Sequence, residues 1–279
     1  MINRRCSQLS DQPLVSIIIP TYNRRIELAE LAESLYRQTY KSLQIIIVND
    51  AGPSVDFIQE LYPELAIQIV NMPQNLKHVH ARNRGLQEAK GDYIMLCDDD
   101  DLLLPIHIER MLQEIQGYDL VYPDVEIFDY VYENNARSIT NRFVFAYEFD
   151  VPAMRRFSTF FSSGCIFRPE LIEALGPFDT EVFHYWDWDF FLRAAEKFRV
   201  KRAPIASVLY AFAQQGTSNM SGQLDNMRPF LDMLSAKHGL GDLPTKNFFL
   251  LLEEPEVKER QAETELIWDG EPIRSRLFE

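Results

Sequence analysis

Leu14 to Pro20 reads LVSIIIP, a short β-branched run closed by proline; after a polar turn, the apolar residues Leu28, Leu31, Ala32 and Leu35 recur at helical spacing. The alternation then repeats. Leu43 to Val48 (LQIIIV) is predicted as a strand, Val55 to Leu61 as a helix, Ala66 to Val70 as a strand, Val79 to Ala89 as a helix and Tyr93 to Cys97 as a strand. Near-continuous apolar strands separated by amphipathic helices predict an α/β fold with a mostly parallel sheet covered on both faces. In such sheets ligands gather at the carboxyl ends of the strands, where loops meet helix N-termini.

Beyond Pro105 the rhythm changes. One helix is predicted up to Gln116, followed by aromatic-rich strands from Leu120 to Tyr132 and Ile139 to Tyr147, joined by the turn residues Glu133 to Arg137 (ENNAR). This half is expected to be mixed, with antiparallel strands. Asp187 to Lys197 (DWDFFLRAAEK) reads as helix and Ser207 to Ala213 (SVLYAFA) as strand. From Asp225 onward helical stretches lead to the apolar run Phe248 to Leu252, the charge-rich Glu253 to Glu265 and turn signals at Asp269 to Pro272; this extension is expected to pack against the core. The implied division is a polar leader (1–12), two halves of one domain (13–125 and 126–224) and a C-terminal helical and acidic extension (225–279).

With 279 residues, 46% of them hydrophobic, the chain has ample material for a buried core. A formal net charge of −14 argues against binding a nucleic-acid polymer, which needs clustered Lys and Arg. An acidic chain can still hold one anionic small molecule if a metal ion or a few local cations neutralise it. Cys6, Cys97 and Cys165 are far apart and lack metal-ligand spacing, so neither a disulfide framework nor a zinc site is expected. The expected compartment is the reducing cytoplasm. No apolar stretch reaches the length of a membrane span and MINRRCSQLSDQ has no signal-peptide core; peripheral membrane contact stays compatible with the sequence.

Asp98, Asp99, Asp100 and Asp101 directly follow the apolar strand YIMLC, where a parallel sheet presents its ligand site. Adjacent carboxylates repel one another unless they share a cation. Mg²⁺ and Mn²⁺ choose carboxylate oxygen while leaving positions for substrate phosphates. The alternative is an acidic turn in which Asp101 caps the next helix.

Five blocks stand in order: VSIIIPTYNR (Val15 to Arg24), IIIVNDAG (Ile45 to Gly52), ARNRG (Ala81 to Gly85), GDYIMLCDDDDLLLP (Gly91 to Pro105) and WDWDFFLR (Trp186 to Arg193). Together they resemble the family 2 glycosyltransferases of the GT-A fold, over roughly residues 13 to 215. That resemblance implies an inverting, Mn²⁺- or Mg²⁺-dependent transferase taking a nucleotide-sugar donor, UDP-linked first. Thr21, Tyr22 and Asn23 would line the nucleotide pocket. Asp50 would accept from the base, for which a carboxylate suits the imide N–H of uracil. The bland reading of Asp50 is an Asx-turn before Gly52. Arg82, followed by Asn83, would bring positive charge to the donor, or else pair with Glu88 on a helix surface. Asp98 and Asp99 would approach the ribose or diphosphate, Asp100 with Asp98 would ligate the metal, and Asp187 would be the base that deprotonates the acceptor, with the ordinary aspartate pKa near 4. Asp189, the competitor, is expected on a different helix face, and His184 only to pack.

The chain departs from the family pattern at two places. The loop NLKHVH lacks the glycine of many relatives, which brings Lys77 or His78 into consideration for the donor, and AQQGTSN offers Gln214 and Gln215 where many relatives carry a histidine. In SSGCIFRPELIEALGPFD (Ser162 to Asp179), Gly164 is expected to allow close approach on the acceptor side and Asp179 to be structural. The acceptor is expected to be a glycan, lipid-linked or protein-linked. Rival readings are a sugar-phosphate nucleotidyltransferase, although PTYNRR lacks the glycine-rich loop that activity uses, and a catalytically silent GT-A-like binding module.

Overall fold

The computed structural model describes residues 12–133, 136–212, 224–245 and 248–278. The first half alternates as its apolar periodicity requires: β1 (Val15–Thr21), α1 (Arg25–Tyr36), β2 (Leu43–Asn49), α2 (Phe57–Leu61), β3 (Ile67–Asn71), α3 (Lys77–Glu88) and β4 (Tyr93–Leu96). β1 pairs in parallel with both β2 and β4, and β2 with β3. Every residue of β1 is buried, as expected of a central strand covered on both faces. Helix α3 lies so close to the sheet that a side chain at Gly85 would stand 2.4 Å from the Ile18 Cγ2, which explains the glycine in ARNRG.

The second half extends this sheet. β5 (Leu102–Leu103), α4 (His107–Glu114), β6 (Leu120–Glu133), β7 (Ala136–Phe145), α5 (Val151–Met154), β8 (Ile166–Phe167), α6 (Glu170–Leu175), α7 (Trp186–Lys197) and β9 (Val200–Ala211) follow in order. With β10 (Glu265–Leu266) from the C-terminal end, the strands run β10-β9-β6-β8-β4-β1-β2-β3 across the sheet, with β5 paired to β9 and β7 to β6. The aromatic-rich strands form an antiparallel hairpin, β6 with β7, while β6 also pairs in parallel with β9. β6 therefore carries the sheet across residue 125. Strand β9 begins at Val200, earlier than the expected Ser207, because VKRAP pairs along the start of β6. Asp101 does not cap a helix: β5 follows it, and its carboxylate accepts the Ala211 N–H at 2.9 Å.

The C-terminal extension packs as expected. α8 (Leu224–His238), α9 (Phe248–Leu252) and α10 (Pro255–Lys258) lead to β10 (Glu265–Leu266), which joins β9 in parallel. Arg276 then stacks over Tyr36 and Tyr62, with its guanidinium 4.2 and 4.7 Å from the two rings. Among the described residues no helix is long and apolar enough to cross a membrane, and Cys97 and Cys165 are buried free thiols.

Candidate active site

The ends of β1, β2 and β4 converge on a cavity of about 540 Å³. Thr21 and Tyr22 follow from β1, Asp50 from β2, and Asp98, Asp99 and Asp100 from β4; all six line it. Asn23 takes a left-handed backbone (φ 58°) and fills the space beside Gly52 instead of joining the wall. Ala51 (φ 59°) and Lys77 (φ 73°) are also left-handed, so non-glycine strain gathers just after β1 and β2 and at the first residue of α3.

Asp50 is not the Asx-turn residue. That part belongs to Asn49, whose side-chain oxygen accepts the Gly52 N–H at 2.9 Å. The buried Asp50 carboxylate instead accepts the Leu76 and Lys77 N–H groups at 2.8 and 2.7 Å, tying β2 to the start of α3. Each of its oxygens accepts one of these and keeps a further lone pair.

The acidic run is matched by guanidinium groups. Arg24 pairs with Asp99 at 2.9 Å and also with Asp100; Arg82 pairs with Asp98; Arg137 donates to the Asp100 carbonyl while it pairs with the buried Glu30. Burial and mutual repulsion raise the pKa of Asp99, Asp100 and Asp101, with Arg24 opposing this at Asp99 and Asp100. Arg82 is 3% exposed and does not reach Glu88, which pairs with Arg84. Its guanidinium lies 4.2 Å from the Trp186 ring centre and 2.8 Å from the His78 Nδ1. His78 lines the cavity, and burial together with Arg82 and His184 drives its pKa well down, so its ring is neutral. Asn83 faces away, exchanging hydrogen bonds with the Phe178 backbone.

Helix α7 carries two aspartates with opposite environments. Asp187 lines the cavity, where burial pushes its pKa up to about 6 against the opposing Trp188 N–H and Arg82; Asp98 adds to the rise. The expected ordinary value near 4 is thereby corrected, yet the group remains ionised at neutral pH. Asp187 does not cap α7, which starts at Trp186. Asp189 is fully buried on another face and takes Arg193 at 2.8 Å, Lys237 at 2.7 Å and His238 at 2.7 Å. Burial alone would raise it, but His238, Lys237 and Arg193 bring it to about 2.

His184 lines the cavity and meets Phe183 and Phe230, and Asp179 holds Lys237 at 2.6 Å. Gly164 allows the expected close approach, and what approaches it is the core. Its φ is +79°, and a side chain there would stand 2.5 Å from Val208 and 2.8 Å from the His107 ring, so its smallness serves the core. Gln214 and Gln215 lie outside the described residues.

The glycosyl transferase family 2 model matches residues 16–176. The Bacillus subtilis (strain 168) protein YwdF, described as an uncharacterized glycosyltransferase, is 52% identical over 263 residues, covering 94% of this chain and 98% of that one. The chain is a family 2 glycosyltransferase. Its sheet is that of GT-A enzymes: S. aureus TarS 1-349 in complex with UDP-GlcNAc superposes with a TM-score of 0.62 at 16% identity, covering 83% of this chain and 68% of that one. The Pyrobaculum calidifontis mannosyltransferase PcManGT, solved with GDP-Man and Mn²⁺, gives 0.56 at 20% identity over 82% of this chain and 70% of that one. At such identities the likeness establishes the fold. Membership of this family sets aside the nucleotidyltransferase and silent-module readings for this enzyme.

Sequence reasoning assigned no role to Arg24 or Arg137. The first sits inside the PTYNR block and pairs with two later carboxylates, Asp99 and Asp100. The second ends the polar turn ENNAR in the sequence, and only the β6–β7 hairpin carries it back to Asp100.

Proposed function

We propose that the enzyme moves a sugar from a nucleotide-sugar donor, a UDP-sugar foremost, to an acceptor hydroxyl with inversion at the anomeric carbon. The observation that carries this reading is that Asp187, with its pKa raised to about 6, lines the same cavity as the Asp98–Asp100 carboxylates. Asp187 takes the proton from the acceptor hydroxyl; a base of pKa near 6 is better matched to neutral pH than one near 4. One direct displacement by that hydroxyl, with no enzyme nucleophile, inverts the centre.

On the donor side Thr21 and Tyr22 flank the nucleotide with Asn23 behind them, and the free lone pairs of Asp50 suit a uracil imide. Arg82 meets the diphosphate, and Asp98 and Asp99 stand toward the ribose and diphosphate. A Mn²⁺ or Mg²⁺ ion fits this donor set under one condition. Among the described residues no three His, Cys, Asp or Glu side chains form a ready cage, whereas Asp98 and Asp100 offer two carboxylates. Two suffice for a hard cation that completes its shell with water and substrate phosphates. Such an ion, when bound, neutralises charge on the departing nucleoside diphosphate. Arg24, already paired with Asp100, competes for that carboxylate.

The test is cleavage of UDP-, GDP-, dTDP- and CMP-sugars by the purified enzyme with Mn²⁺ and with EDTA, beside Asp187→Asn and Asp100→Asn. Metal-dependent release from one donor, lost in the Asp100 variant, supports the reading. Donor cleavage that is indifferent to EDTA and to both substitutions refutes it.

A further inference from the structure

His78 and Arg82 lie four residues apart on α3, both line the cavity, and the Arg82 Nη1 stands 2.8 Å from the His78 Nδ1. A guanidinium has no acceptor, so in this contact Arg82 donates and the His78 Nδ1 receives the bond on its lone pair. The proton of the neutral ring therefore stands on Nε2. That Nε2 is buried, and among the described residues it has no hydrogen-bond partner; the same holds for the Arg82 Nε. Buried donors left unpaired destabilise a fold, and two on neighbouring side chains of one cavity wall point to a ligand that satisfies them.

The ring is also held in place. Phe183 lies 4.6 Å and Trp186 6.4 Å from it, centre to centre, and the chain just before it is fixed by Asp50, whose carboxylate accepts the N–H groups of Leu76 and the left-handed Lys77. Burial, then Arg82 and His184, hold its pKa well below the usual imidazole range. Of the two residues that the loop NLKHVH brings into consideration, His78 lines the cavity and Lys77 does not.

The donors decide the chemistry of their partner. Two N–H groups side by side suit a group rich in oxygen lone pairs that carries no protons of its own. A diphosphate is such a group, whereas a sugar hydroxyl brings a donor with its lone pairs and a uracil edge alternates the two. A proton on Nδ1 would oppose the Arg82 N–H, so the wall offers a neutral donor beside a fixed cation.

We propose that His78 is a donor-binding residue: its Nε2–H donates to an oxygen of the nucleotide-sugar's diphosphate, and Arg82 selects the tautomer that allows this. The proposal rests on the reading of Arg82 as a diphosphate contact and deepens it.

The test begins with the free enzyme. Imidazole nitrogen NMR spectra at neutral pH, with His78 assigned by the signals lost in His78→Gln, are expected to show a neutral ring protonated on Nε2. A charged ring, or one protonated on Nδ1, overturns the proposal before any ligand is added. Uridine and UDP are then titrated with Mg²⁺ present. His78→Phe, which keeps a ring against Phe183, is expected to weaken UDP binding about 10-fold or more while uridine binding changes by less than about twofold. His78→Gln, which still carries an N–H donor, is expected to stay within about threefold of the parent. UDP binding untouched in His78→Phe overturns the proposal. So does an equal loss for uridine, which would put the ring at the base, or an equal loss in both variants, which would make its role one of packing. Each of these outcomes leaves the UDP-sugar reading standing. A parent enzyme that binds no UDP would strike that reading, and this proposal with it.

Discussion

At the strand ends Asp98 to Asp101 crowd together and Arg24, Arg82 and Arg137 are brought to them; elsewhere in the lining of the same cavity Phe145, Phe161, Phe212 and Phe248 pack against one another. The acidic strand ends are built against the fold's own preference, since burial raises the pKa of Asp99, Asp100 and Asp101 and each of the left-handed residues Asn23, Ala51 and Lys77 adds strain of about 1 kcal/mol or more. The aromatic wall costs little, because clustered rings stabilise the fold by the same contacts that shape the site. The contrast separates a surface that concentrates charge at a cost to the fold from one that stabilises it. The same contrast is repeated within α7, where Asp187 is left short of partners and Asp189 is saturated with them.

The largest expected effect tests the underpartnered side. Asp187→Asn should lower the single-turnover transfer rate about 10²- to 10⁴-fold, with the Kd for UDP and Mn²⁺ within about twofold of the parent. Because the folded pKa of Asp187 lies above its unfolded value, the ionised group destabilises the fold at neutral pH, and the same variant should melt at a higher temperature. A normal rate in Asp187→Asn would remove the base from this site.

Asp189→Asn should do the reverse. It leaves Arg193, Lys237 and His238 without their shared carboxylate and should cost about 2–3 kcal/mol in urea unfolding, with the rate per folded molecule nearly unchanged. The sign with pH follows from a depressed folded pKa: the contribution is complete above the unfolded value near 4 and is lost as pH falls through about 2. Denaturation curves of parent and variant should converge over that window. A large rate loss without a stability loss would exchange the two aspartates' roles.

Smaller in size is the pH dependence of turnover. The proposed base must be ionised to act, so with Asp187 in that role the rate should fall below pH 6, by about tenfold at pH 5, and this limb should vanish in the residual activity of Asp187→Asn. A flat profile from pH 5 to 7 would contradict it. The smallest effect concerns Arg24. Replacing it with Met frees Asp100 of its competing cation and should tighten Mn²⁺ binding in the absence of nucleotide several-fold, about 1 kcal/mol, by calorimetry. Weaker Mn²⁺ binding in that variant would mean that Arg24 shapes the site for the ion instead of contending with it.

Local pattern alone determined the strands and helices of the first half, because a fully covered parallel strand requires an unbroken apolar run and LVSIIIP, LQIIIV and YIMLC have no other use. It also determined that Asp50 and the Asp98 run would stand at strand ends, and the five blocks carried the family. What stayed illegible depended on contacts between distant segments. Whether Asp187 has an ordinary or a raised pKa depends on the cavity built around it by α3, β4 and α7. That Gly164 serves Val208 and His107, that Asp101 holds Ala211, and that Arg137 returns to Asp100 follows from β9, β6 and β7 joining one sheet with β4. The aromatic wall is the extreme case: Phe145, Phe161, Phe212 and Phe248 lie in four separate segments, each with an ordinary core pattern of its own. Hydrophobic periodicity records that a side chain will leave water, and only the packing of the whole chain decides which of its neighbours leave with it.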